Sequence, residues 1–111
     1  RLSLVGSEMC IRDRHMASYT IRVELRDATA EDYENLHERM KHHGFRRSLI
    51  CKQGTVYWLP HEEYVCVSFD TRQEILDRAF QLATEVNVNP AVLVTESTGR
   101  TWRGLEALDC L

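Results

Sequence analysis

The chain is poor in the features that mark extreme classes of protein. It has two prolines and five glycines in 111 residues, too few for a collagen-like or low-complexity chain. No apolar run approaches the ~20 residues of a membrane-spanning helix. Positive charge is not in excess either: 14 Lys and Arg stand against 17 Asp and Glu, a net charge of -3. That excludes the basic footprint of a protein that binds nucleic acid over its whole surface. The four cysteines form no CxxC pair and show no zinc-finger spacing. A Gly-rich phosphate loop and a nucleophile elbow are also missing. What is there is ordinary: 43% hydrophobic and 28% charged residues, in a length that builds one modest core.

Residues 1–15, RLSLVGSEMCIRDRH, show neither a helical nor a strand period. The apolar stretch from Leu2 to Val5 is too short for a signal peptide, and no small-residue cleavage site follows it. LSLVGSEMCIRD resembles a translated sequencing-adaptor read-through, and His15-Met16 resembles a cloning scar. Met16 is therefore the expected native start, with residues 1–15 a non-native or disordered leader and residues 16–111 a single domain. Leaving out the leader takes the net charge to -4. It leaves Cys51, Cys66 and Cys110, read as reduced thiols of a cytoplasmic protein. Cys51 and Cys66 could face each other across a hairpin, but free cysteines are the expectation.

Tyr19 to Arg26 alternates strictly. Tyr19, Ile21, Val23 and Leu25 share one face, and Thr20, Arg22, Glu24 and Arg26 the other, as in a half-buried strand. Thr29 and Asp32 have capping-box spacing for a helix that carries Tyr33, Leu36, His37 and Met40 on one stripe and ends at Gly44. Three extended segments follow: Phe45 to Cys51, Val56 to Leu59, and Glu63 to Phe69. Pro60 confines the middle one to an edge or a turn. Thr71 and Glu74 form a second capping box, for a helix with Ile75, Leu76, Ala79, Phe80, Ala83 and Val86 as its apolar stripe. Ala91 to Thr95 is the last strand, and the tail either adds a short strand or lies across the sheet.

The order β-α-β-β-α-β predicts an α+β, ferredoxin-like sandwich. A four-stranded antiparallel sheet, with its first and third strands central, carries both helices on one face. The other face is left open to bind something or to pair with a second copy. An RNA-recognition motif would place aromatics there. Only Tyr64 qualifies, so a solvated or dimer-forming face is preferred.

Candidate chemistry is thin. The position four after His37 is Lys41, which breaks helical metal-ligand spacing, and no metal or other cofactor is expected. His61, in a turn beside Pro60 and Glu62, is the best acid–base candidate. Asp27 ends the first strand, where a carboxylate holds a metal or caps a turn. Arg46, Arg47 and Lys52 could contact phosphates. A charged edge that deters strand pairing explains Arg46 and Arg47 equally well. Arg100 and Arg103 flank Trp102, mixing cations with a stacking ring.

The runs SYTIRVEL, DYENLHERMKHHGF, YWLPHEEYV and TRQEILDRAF resemble the GhoS family over Ser18 to about Thr95. The landmarks are the alternating strand, the Gly44-Phe45 helix exit and the Leu59-Pro60 step before Tyr64. The resemblance implies a ferredoxin-like fold similar to that of the CRISPR-associated protein Cas2. It also implies a type V antitoxin, an endoribonuclease that cuts the messenger RNA of a small membrane toxin. No compact catalytic motif carries over, so the roles come from general chemistry. His61 and Asp27 are the catalytic candidates. Arg22, Arg26, Arg46, Arg47, Lys52 and Arg103 are the candidate RNA contacts. The competing expectation is a non-catalytic module that forms a homodimer through a sheet face or edge.

Overall fold

A computed structural model describes residues 15–108. Apart from His15, the expected leader lies outside the described residues, as does Cys110. Strand β1 runs Ala17–Glu24, helix α1 Ala30–His42, β2 Ser48–Ile50, β3 Val56–Trp58, β4 Glu63–Ser68, α2 Arg72–Val86 and β5 Ala91–Ser97. The domain is α+β, with two helices and antiparallel sheets.

β1 is central, antiparallel to β4 on one side and to β5 on the other. Its alternation works as read. Tyr19, Ile21, Val23 and Leu25 are buried, while Arg22, Glu24 and Arg26 are exposed. The register puts Ile21 opposite Tyr64 and Val94, and Tyr19 opposite Cys66. These inner residues form one cluster with Leu36 and Met40 of α1 and Ile75, Ala79, Leu82 and Ala83 of α2. The core therefore lies between one sheet face and the helices. On α2, Leu82 is buried in place of the expected Phe80, which stays 45% exposed. Phe80 sits at the flank of the stripe that Ile75, Ala79, Leu82 and Ala83 define.

Both helices start at the expected boxes. The Thr29 and Thr71 hydroxyls accept from the backbone N–H of Asp32 and Glu74, whose carboxylates accept in return from the cap N–H. Gly44 takes φ +88° just past α1, the left-handed turn that glycine makes without strain. That turn aims Phe45 into the core, where it is 1% exposed.

The sheet has three strands rather than the expected four. The segment after Phe45 touches the outer edge of β4 at a single bridge, Arg46 with Val65. It then leaves to pair β2 with β3 in a separate two-stranded sheet. β3 in turn is claimed on its other edge by the tail, through Trp58 N–H to Glu106 O and Leu108 N–H to Val56 O. A second correction concerns Tyr64. It does not stand on the open face: it is fully buried on the helix side, with Cys66. The open face carries Thr20 and Arg22 of β1 and the exposed Val67 and Leu93 of its neighbours.

Candidate functional site

The turn between β3 and β4 gathers four rings. Tyr33 and His37 lie one turn apart on α1, His61 is in the loop, and Tyr64 is near the start of β4. The His61 ring centroid is 4.7 Å from that of Tyr33 and 5.1 Å from that of His37, edge-on in the second case. Tyr33 is fixed through its hydroxyl, which accepts from Leu25 N–H at 3.0 Å and donates to Glu62 Oε2 at 3.3 Å. Burial raises the pKa of that hydroxyl.

His37 Nδ1 and the Tyr64 hydroxyl share a hydrogen bond of 2.5 Å. The other ring nitrogen, Nε2, is shut away from water with no hydrogen-bond partner. Burial, helped by the charges of Arg47 and His61, lowers the His37 pKa to about 4. The imidazolium needs an acceptor at both nitrogens, and Nε2 has neither water nor a partner. Burial pushes the Tyr64 hydroxyl upward, against the pull of Arg47. His37 is therefore neutral near pH 7 and is held as a structural ring.

Beside His37 opens a groove of about 270 Å³, lined among others by Glu38, Lys41, Arg46, Arg47 and Trp58. The predicted cations divide here. Arg46 is exposed, and its backbone, not its side chain, makes the β4 bridge. Arg47 is half-buried, and its guanidinium is spent on the chain itself. It donates to Pro60 O and Glu63 O at 2.6 Å each and to Leu59 O at 3.3 Å. It also stands 5.6 Å from the Tyr64 ring centroid.

The remaining candidates are dispersed. Arg22 pairs with Glu62 and Glu63 at 3.1 and 3.2 Å, and Arg26 donates to Asn89 O at 2.6 Å. Asp27 is exposed in a left-handed turn, φ +52°, and no hydrogen bond joins it to His61. Lys52 and Arg103 lie elsewhere, in two clefts beside the tail that share Arg100 and Trp102. His61 is exposed, with Tyr33 and His37 behind it. The structure thus brings Arg47 to the turn that carries His61, sets Arg46 on the groove beside His37, places Arg22 on the carboxylates that follow His61, and leaves Arg26, Asp27, Lys52 and Arg103 elsewhere.

Sequence reasoning missed the pairing of His37 with Tyr64, because no local period links residues 27 positions apart. It also left Arg100 out of the site, although its place beside Trp102 was the available signal. Among the described residues, no group of three His, Cys, Asp or Glu side chains is placed to hold a metal ion. No family model, curated protein or solved structure matches the chain.

Proposed function

We propose that this chain is a GhoS-like antitoxin that cleaves RNA by acid–base chemistry at His61, its target the message of a small membrane toxin. The observation that carries the reading is the exposed His61 ring, packed on His37, which itself lines a groove with Lys41 and Arg46. In this reading the His61 imidazole takes the proton from a ribose 2′-hydroxyl. The freed oxygen attacks the neighbouring phosphorus, and the 5′-oxygen leaves with a proton from water. The products are a 2′,3′-cyclic phosphate and a 5′-hydroxyl end. Lys41 and Arg46 offset the charge that builds on the phosphoryl oxygens. Asp27 has no step here. The strand order β5-β1-β4, with Arg46 bridged to the free edge of β4, supports a ferredoxin-like plan whose fourth strand is reduced to one residue.

The test is incubation of the purified chain with labelled RNA, including a transcript encoding a short membrane-spanning peptide. Cleavage to cyclic-phosphate ends is expected. His61→Ala should cut at least ~100-fold more slowly, the usual contribution of a general base. A wild type that cuts no RNA sinks the reading. Equal rates for wild type and His61→Ala remove His61 from it.

A second reading is a non-catalytic domain that pairs with another copy through the open sheet face. It is favoured by Val67 and Leu93, which leave 51% and 64% of their surfaces on that face exposed. Sedimentation of wild type against Leu93→Glu separates the two states.

A further inference from the structure

The tail builds a second site that the acid–base reading does not use. Arg100 Nε–H donates to Thr20 Oγ1 at 2.8 Å on the open sheet face. Thr20 is itself held by Ser97, 3.1 Å away across the β1–β5 pair. The guanidinium is therefore fixed, yet it is not satisfied. Its Nη2 is buried and has no hydrogen-bond partner. No carboxylate among the described residues pairs with it. Glu63 lines the same cleft, but its carboxylate is taken by Arg22. Burial lowers the Arg100 pKa, against the opposing pull of Cys66 and Glu63, as expected for a cation short of water.

Two clefts meet at this side chain, one of about 500 Å³ with Thr20, Glu63 and Arg103, the other of about 410 Å³ with Lys52. Trp102 lines both. It packs on one side against Tyr57, with ring centroids 5.6 Å apart, and keeps 36% of its surface exposed. The clefts are in the size range of small-ligand sites. A fixed, unpaired guanidinium, two further cations and an indole face match a phosphate joined to a flat ring.

We infer that Arg100 and Trp102 form a nucleotide subsite, with Arg100 holding a phosphate and Trp102 stacking the attached base. The ligand is either a free nucleotide or one link of a single-stranded RNA. In the second case it deepens the RNA-cleaving reading by naming where the strand is gripped.

The chain contains two tryptophans, so Trp58→Phe leaves Trp102 as the sole indole reporter. In that background, UMP and hexauridylate are titrated against indole emission. Both are expected to quench it. Arg100→Gln is expected to weaken binding at least tenfold. Tighter binding of hexauridylate than of UMP assigns the site to an RNA strand. UMP binding as tight or tighter assigns it to free nucleotides. No quenching by either ligand overturns the inference, as does an Arg100→Gln protein that titrates like its parent. If Arg100→Gln unfolds early, Arg100→Lys is read instead. It keeps the charge and loses the fork, so a tenfold loss supports the subsite and unchanged binding overturns it. RNA cleavage without any quenching removes this site and leaves the His61 reading standing. Quenching without cleavage does the reverse.

Discussion

His37 Nδ1 lies 2.5 Å from the hydroxyl of Tyr64, and the bond ties α1 to β4 inside a wall of rings. It has a pH cost. The His37 pKa falls from 6.5 to about 4 on folding, chiefly through burial. The unfolded chain thus takes up a proton that the native ring refuses. The stability this ring contributes is fully present above pH 6.5 and is lost as pH falls towards 4. The shift sets a ceiling of roughly 3 kcal/mol. Partial exposure of the ring reduces the expected loss to about 1–2 kcal/mol. Urea unfolding of wild type and His37→Gln at pH 7 and pH 4 measures it. The wild type should lose that much more than the variant between the two values. Parallel losses would show that the ring titrates normally.

Arg46 and Arg47 are neighbours with opposite fates. Arg47 holds three carbonyls of the Leu59-to-Glu63 turn, and truncating it leaves them without their charged donor. Arg47→Ala should cost about 2 kcal/mol. Arg46→Ala, at an exposed side chain, should stay within ~0.5 kcal/mol. Thermal unfolding decides between them. RNA assays on a chain carrying both Arg46→Ala and Arg47→Ala would mix a folding loss with a binding loss, so Arg46→Ala alone is the informative change.

Much of this fold is legible locally. The alternation from Tyr19 to Leu25 gives the buried face of β1, and the Thr-x-x-acid spacings give both helix starts. What is not legible depends on distant partners. Val56 to Leu59 reads as an edge or turn segment before Pro60, but Val56 to Trp58 is paired on both sides, with β2 on one edge and with the tail at Glu106 and Leu108 on the other. Tyr64 reads as an open-face aromatic because the strand Glu63 to Ser68 has apolar residues on both faces, and parity alone does not choose. Its burial is decided by Ile21 opposite and by His37 above it. The engagement of Arg22, Arg26 and Arg47 is hidden for a similar reason: sequence shows a guanidinium, not whether a carboxylate or carbonyl has already claimed it.

The two capping boxes give a test of local coding. Thr29 and Thr71 each accept from the backbone N–H three residues on. Replacing either by alanine leaves that donor without its acceptor and should cost about 1 kcal/mol. In a domain of this size that lowers the unfolding midpoint by roughly 4–8 °C. α2 packs against β1 and β5 as well as α1, whereas α1 has fewer such anchors. Far-UV circular dichroism during heating should therefore show Thr71→Ala unfolding in one cooperative step. A midpoint equal to wild type in both variants would mean that water replaces the hydroxyls at no cost.

The two cysteines in the described residues are free, and the topology keeps them apart. Cys51 follows β2 in the smaller sheet, while Cys66 faces the core from β4. Burial pushes the Cys66 thiol up to about 11, with Arg78 opposing the shift. Burial also pushes Cys51 upward, but the backbone N–H groups of Gln53, Thr55 and Gly54 outweigh it and leave the thiol below its usual value. Reactivity follows the thiolate. At pH 7.5, a thiol of pKa about 11 is ionised in on the order of one molecule in several thousand, and access to Cys66 is closed as well. Iodoacetamide treatment of the native chain followed by peptide mapping should label Cys51 first and spare Cys66 until denaturant is added. Equal labelling in the native protein would mean that β4 opens readily, and the His37–Tyr64 bond on the same strand would then hold far less than its geometry implies.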